Sequence, residues 1–286
     1  MDWLKYLIIP LALSALITPF LKIVAYRLDI YAQVNERTVH KGKIARIGGV
    51  AIYISFVVCM AVFMKTDMTI NGILIGGTIM FIGGLIDDMV NLNPKYKLAF
   101  EVAAAIVLMT VGKVSLDVIR LPMGISIDMG LVSFIVTFVW IIGITNAVNL
   151  IDGLDGLAGG ISAIILVVIA CLSVIEGRLD IQTMSLILAG ATMGFLLYNS
   201  HPASIFMGDC GALFLGFIIS AISLLGFKSS TIMTLALPIL LLAGAIVGKS
   251  GGILRRKRRG EKISETEKEK TQPQRKEPDR KKKKKK

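Results

Sequence analysis

Apolar residues in this chain neither alternate nor mark a narrow 3.6-residue stripe. They dominate stretches of about 17–22 residues at a time, the length that crosses a bilayer as a helix. Such runs cover 3–24, 47–64, 69–86, 98–114, 129–148, 157–175, 181–198, 211–227 and 231–248. In hydrocarbon a backbone must satisfy its own hydrogen bonds, so runs of this kind read as helices. A membrane barrel would need apolar and polar residues in alternation, which is not the pattern. The expected fold is therefore all-α: a polytopic integral membrane bundle of about nine transmembrane helices. The first run lacks a small-residue cleavage site and follows the acidic flank "MDW", so it reads as a retained span.

The polar segments between runs sort by side. Alternation puts 25–46, 87–97, 149–156, 199–210 and the C-terminal tail on one face, and 65–68, 115–128, 176–180 and 228–230 on the other. Arg27, Arg37, Lys41, Lys43, Arg46 and the tail make the first face the cytoplasmic one by the positive-inside bias. The second set reads as plain connectors. All four segments with chemical character fall on the first face: "NERTVHKGKIARIGG", "GLIDDMVNLNPKYK", "NAVNLIDGLDGLAGG" and "YNSHPASIFMGDCGA".

Composition agrees with the pattern. A hydrophobic share of 54% and a mean hydropathy of +0.72 exclude an ordinary soluble domain. The net charge of +12 belongs to the end of the chain. Residues 249–286 hold 18 of the 32 Lys and Arg but only 6 of the 20 Asp and Glu, leaving 1–248 neutral. Two regions follow: a membrane domain over 1–248, and a basic tail over 249–286 that cannot bury a core and is expected to be disordered. The tail suits anionic membrane lipid; with no aromatic residue among its charges, no nucleic-acid partner is expected. Cys59, Cys171 and Cys210 are unevenly spaced and imply no disulfide framework.

Acids at the end of a membrane span are functional candidates. Asp87 and Asp88 are adjacent and need a cation or a shared proton; a divalent metal, Lys95 or Lys97 would supply it. Asn146, Asn149, Asp152 and Asp155 recur every three residues, so a continuing helix would line them up in one stripe. These oxygen ligands suit magnesium, and Gly153, Gly156, Gly159 and Gly160 allow close approach of a ligand. A helix N-cap accounts for Asp152 or Asp155 alone but not for the set. Asp209 precedes a span, either as a cap or as a ligand, and Phe206 reads equally as an interfacial anchor or a stacking platform. His201, before Pro202, reads as a loop residue. Arg37, His40, Lys41, Lys43 and Arg46 would attract phosphates, although the positive-inside bias alone produces much of this charge. Without a Ser–His–Asp set, a Cys–His pair or a phosphate-binding G-x-x-x-x-G-K-[ST] loop, the inventory favours metal-assisted phosphorus chemistry. An ion transporter would instead place its acids near the bilayer midplane in paired repeats.

"GGLIDDMVNLNPKYKL", "NAVNLIDGLDGLAGG" and "FMGDCGALFLGF" resemble the polyprenyl-phosphate N-acetylhexosamine-1-phosphate transferase family, over a stretch from the first span to about residue 240. "VHKGKIARIGG" is similar to its GlcNAc-1-phosphate branch. The resemblance implies transfer of GlcNAc-1-phosphate from UDP-GlcNAc to undecaprenyl phosphate, with release of UMP, at the inner face of a bacterial cell membrane, for a cell-wall polymer such as teichoic acid. It implies Mg2+, with Mn2+ as a substitute, held by Asp209 and Asn149. Asp87 and Asp88 match paired catalytic aspartates acting as base and as organiser of metal or phosphate, and Lys97 a lysine that steadies phosphate. Lys43, Arg46, Asn146 and Asp152 are the accompanying substrate-binding candidates. Gly153, Asp155, Asn199 and Phe206 match the nucleoside pocket, with Phe206 stacked on uracil. A homodimer is the candidate assembly. The family also carries a histidine-rich loop after the ninth span, whereas this chain has only His40 and His201, and Cys210 stands where threonine is common. A catalytically impaired nucleotide-sugar-binding or scaffold protein of the same fold is the competing expectation.

Overall fold

The computed structural model describes residues 3–28, 30–31, 44–120 and 126–226. Each of the first eight apolar runs forms one helix: α1 (Leu4–Arg27), α2 (Gly49–Phe63), α3 (Met68–Val90), α4 (Pro94–Thr110), α5 (Val132–Ile151), α6 (Leu157–Ile175), α7 (Leu179–Asn199) and α8 (Gly208–Gly226). Six of them, α1, α3, α5, α6, α7 and α8, are long and apolar enough to cross a membrane. α2 is apolar but has 15 residues, and α4 has 17 and carries Lys95, Lys97 and Glu101. The chain is thus a helical membrane protein with eight helices among the described residues. The ninth run, the basic tail and the boundary at 248 lie outside them.

Two expectations need correction. The all-α architecture holds, but the connector at 115–128 is not plain: it pairs β1 (Val118–Arg120) with β2 (Ser126–Asp128) as a short antiparallel ribbon. Its return is held by Met129 N–H donating to the Asp117 carbonyl and Gly130 N–H to the Asp128 carboxylate. The second correction concerns the helix ends on the polar face. α3 runs on past the acids to Val90, where Asn91 in the left-handed region (φ 51°) stops it. α8 starts early enough to hold Asp209 in its first turn. Asp87, Asp88, Asn149 and Asp209 therefore sit on helix ends and not on loops.

α8 forms the centre: every one of its residues is buried, and it packs against α3, α5 and α2. α7 bridges α1 and α6 on the other flank. Side chains facing outward, such as Leu16, Phe20, Val62, Ile135 and Ile164, are large and apolar, as a lipid-facing surface requires. The α3–α8 contact depends on the lack of a side chain at Gly84. A Cβ there would lie 2.5 Å from both the Asp209 carbonyl oxygen and the Cys210 Cα. Backbone cannot yield as a side-chain tip does, so Gly84→Ala is expected to destabilise the fold by about 1–3 kcal/mol or more. Thermal unfolding of the detergent-solubilised variant measures this; an unchanged midpoint would refute it.

Candidate active site

The sequence dictates how α8 begins. Gly208 takes φ +77°, a conformation that disfavours side chains, and a Cβ there would also meet the Arg46 carbonyl and lie 2.5 Å from Asp88 Oδ2. That turn aims the first N–H groups of α8 at α3. Asp209 N–H donates to Asp88 Oδ1 at 2.8 Å and Cys210 N–H to Oδ2 at 2.9 Å. The Asp88 side chain is fully buried, and both its oxygens serve as the N-terminal cap of a helix from a distant part of the chain.

Arg46 arrives by a different device. Residues 45–49 lie along 205–207: Phe206 N–H donates to the Ala45 carbonyl (2.8 Å), Gly48 N–H to Phe206 (2.9 Å) and Gly49 N–H to Met207 (2.8 Å). The segment before α2 is thereby fixed beside the start of α8. Arg46 Nε reaches Asp88 Oδ1 at 3.2 Å and Nη2 reaches Asp209 Oδ1 at 2.9 Å, so one guanidinium bridges the two acids. Lys97 completes the cluster from α4, whose start is set by the Asn93 side chain accepting from Lys95 N–H and by Pro94 in the first turn. Its Nζ lies 2.6 Å from Asp87 Oδ2 and 2.6 Å from Asp209 Oδ2. Asp87 Oδ1 accepts from Leu92 N–H at 2.7 Å. Asn149, near the end of α5, donates to Asp209 Oδ1 at 3.3 Å.

Asp209 is thus the hub of one basin, fed by α3, α4, α5, α8 and the segment before α2. Two cations neutralise it and its neighbours Asp87 and Asp88. They are also the more exposed parts: the Arg46 and Lys97 side chains are 34% and 29% exposed, against 0% for Asp88 and 3% for Asp87. Asp152, the residue closing α5, adds a further carboxylate. It accepts no hydrogen bond among the described residues, and burial pushes it up to about 7, helped by the charge on Asp209 and opposed by Arg46. Oxygen donors surround the basin, the type of ligand set that suits a hard divalent cation. No cluster of three or more His, Cys, Asp or Glu arranged to hold a metal ion is present among the described residues; Arg46 and Lys97 pair with Asp87, Asp88 and Asp209.

The remaining candidates fall around this centre. The stripe expected from Asn146 to Asp155 breaks after Asp152, because α5 ends at Ile151 and Gly156 turns the chain at φ +68°. Asp155 Oδ2 instead sits 2.9 Å from His201 Nδ1 and accepts from Ala203 N–H at 3.2 Å, tying this turn to the segment between α7 and α8. Asn199 makes a second tie, accepting from Gly156 N–H (3.1 Å) and donating to the Ile205 carbonyl (2.9 Å). Gly153 is exposed, and a Cβ there would meet open space, so neighbouring atoms do not require glycine at that position. Phe206 is partly buried at the strand-like contact with Ala45. Asn146 points its amide at Glu101 (2.5 Å) and at the Ile142 carbonyl (2.9 Å). Lys43 lies outside the described residues. Glu101, only 5% exposed, is the functional-looking residue that sequence reasoning overlooked. An acid inside the apolar run 98–114 was the available signal.

Residues 70–227 match the family model for glycosyl transferase family 4. The chain is 38% identical over 252 residues to the probable undecaprenyl-phosphate N-acetylglucosaminyl 1-phosphate transferase of Bacillus subtilis, covering 87% of this chain and 70% of that protein. It is 31% identical over 239 residues to a decaprenyl-phosphate N-acetylglucosaminephosphotransferase of Mycobacterium tuberculosis, covering 73% of this chain and 58% of the relative. A phospho-N-acetylmuramoyl-pentapeptide-transferase of Bacillus subtilis is 32% identical over 234 residues, with 76% and 72% covered. The matched stretch contains Asp87, Asp88, Lys97, Asn149, Asp152 and Asp209, the acids and amide of the basin together with its lysine. This chain belongs to glycosyl transferase family 4.

Proposed function

We propose that the chain transfers GlcNAc-1-phosphate from UDP-GlcNAc to undecaprenyl phosphate, giving undecaprenyl-diphospho-GlcNAc and UMP, for synthesis of a cell-wall polymer such as teichoic acid. The observation that carries this reading is the convergence on Asp209 of Lys97, Arg46 and Asn149, from three parts of the chain far apart in sequence. Family membership and the names of the relatives support it, and the positive-inside bias supports a cytoplasmic basin.

A diphosphate brings negative charge that must be matched in a site beside lipid. Lys97 and Arg46 are the groups to receive it, since both are exposed enough to turn from carboxylate to phosphate oxygens. That exchange leaves Asp209 and Asp87 with free oxygens. Asp209 and Asn149 would then hold Mg2+, with Asp152 beside them for the substrate. The metal would supply positive charge against the negative charge that builds up on the leaving group. Asp87 Oδ2, released by Lys97, is the atom to take the remaining proton from the lipid phosphate. The lipid phosphate oxygen then attacks the sugar-bearing phosphorus in a single displacement. One P–O bond forms, the bond to the bridging oxygen breaks, and UMP departs with that electron pair. Gly153, Asp155, Asn199 and Phe206 shape the nucleoside end, with Phe206 stacking on the base.

The test is UMP release by purified protein in detergent with undecaprenyl phosphate. Release is expected to require both the lipid phosphate and Mg2+ and to stop on chelation by EDTA. UDP-GlcNAc binding with no UMP release under these conditions would point to the binding or scaffold protein instead.

A further inference from the structure

Asp87 and Asp88 are adjacent in sequence, yet their surroundings differ in kind. Asp87 is held on its outer oxygen by a lysine side chain that can leave, as the transfer reading requires. Asp88 is held on both oxygens by backbone N–H groups of α8, which cannot leave without unwinding the helix start. We propose that Asp88 is a positioning residue: it clamps the N-terminus of α8 and so fixes the bearing of the Asp209 carboxylate, leaving the reacting chemistry to Asp87.

Three observations converge on this. The N–H that Asp88 Oδ1 captures belongs to Asp209 itself, so the clamp acts one residue's backbone away from the hub carboxylate. Until a diphosphate draws its Nη2 away, Arg46 adds a brace, with Nε on Asp88 and Nη2 on Asp209. The turn at Gly208 leaves no room for a methyl beside Asp88 Oδ2, so the fit is tight on the backbone side as well. A carboxylate with no exposed surface and both oxygens committed to main chain cannot reach a substrate while α8 stays folded. Its influence on the reaction passes through the Asp209 carboxylate.

The inference rests on the transferase reading, and its test separates the two. Asp88→Asn keeps one acceptor for the α8 N-terminus and turns the other into a donor facing an N–H. Gly208→Ala presses a methyl into the same clamp without removing an acid. Both variants are purified in detergent and checked for a single symmetric size-exclusion peak. Mn2+ binding in the presence of UDP is then read by electron paramagnetic resonance of the free ion. The Mg2+ and pH dependence of UMP release is measured alongside. Loss of an outer partner of a metal ligand lowers metal affinity by about 10- to 100-fold. Both variants should show that loss, recover turnover as Mg2+ is raised, and keep the acid limb of the pH profile where the wild type has it. Wild-type Mn2+ binding in Asp88→Asn with no turnover at any Mg2+ concentration would make Asp88 a reacting group and overturn the proposal. Wild-type behaviour in both assays, or a wild-type protein that binds no Mn2+, would overturn it too. Absence of UMP release from the wild type alone removes the transferase reading, while the Mn2+ titration still decides the clamp.

Discussion

Asp209→Ala is expected to cut UMP release by about a thousandfold, the scale of losing a preorganised electrostatic contact at the reacting phosphate. One carboxylate here organises Arg46, Lys97 and Asn149 together, so its removal takes a partner from all three at once and leaves Arg46 on Asp88 and Lys97 on Asp87. The variant should nevertheless fold. The contacts that anchor the start of α8 use the main-chain N–H groups of Asp209 and Cys210, and these survive loss of the side chain. A membrane preparation with normal protein level, normal unfolding temperature and turnover reduced on that scale is the expected result. Turnover within a few-fold of wild type would show that the hub carboxylate takes no part in the reaction.

Lys97→Met should be nearly as damaging, and in a different manner. The lysine bridges Asp87 and Asp209, standing 2.6 Å from each. Methionine has similar length and no charge, so two largely buried carboxylates would be left to repel one another. Because Lys97 is partly exposed, the stability loss should be below the ~3–5 kcal/mol that accompanies breaking a fully buried pair. Turnover should fall by roughly 10²–10³-fold, since a cation aimed at the diphosphate is gone. Added Mg2+ should raise the unfolding temperature of Lys97→Met more than that of the wild type, because a cation relieves the repulsion. An equal rise in both proteins would contradict the role of Lys97 as the resident counter-charge.

The membrane helices were legible because lipid imposes one solution on a long apolar run, and each of the first eight runs became a helix. Their ends were not, because hydropathy ended the third run before Asp87 and began the eighth after Asp209, while a helix continues wherever its charges find partners. Asp87 and Asp88 belong to the last turns of α3 because Leu92 N–H, Lys97 and the α8 N-terminus satisfy them. Asp209 belongs to the first turn of α8 for the same reason. The stripe from Asn146 to Asp155 failed at a glycine-rich turn, whose local conformation outweighs periodicity. That distant acids and cations would share one face followed from alternation of the loops. Which acid would face the basin and which would hold a helix did not, since that distinction lies in main-chain bonds between segments 121 residues apart. Glu101 escaped notice because an acid surrounded by apolar residues blends into its span, and its partner Asn146 lies 45 residues away.

The central claim is that the basin around Asp209 moves a sugar together with its phosphate and not the sugar alone. It is tested most directly with UDP-GlcNAc carrying ³²P on the phosphorus next to the sugar, incubated with the purified protein, undecaprenyl phosphate and Mg2+. The account predicts that the label enters the organic phase with the lipid while unlabelled UMP stays in the aqueous phase. Label retained in water as UDP, with GlcNAc alone on the lipid, would contradict it.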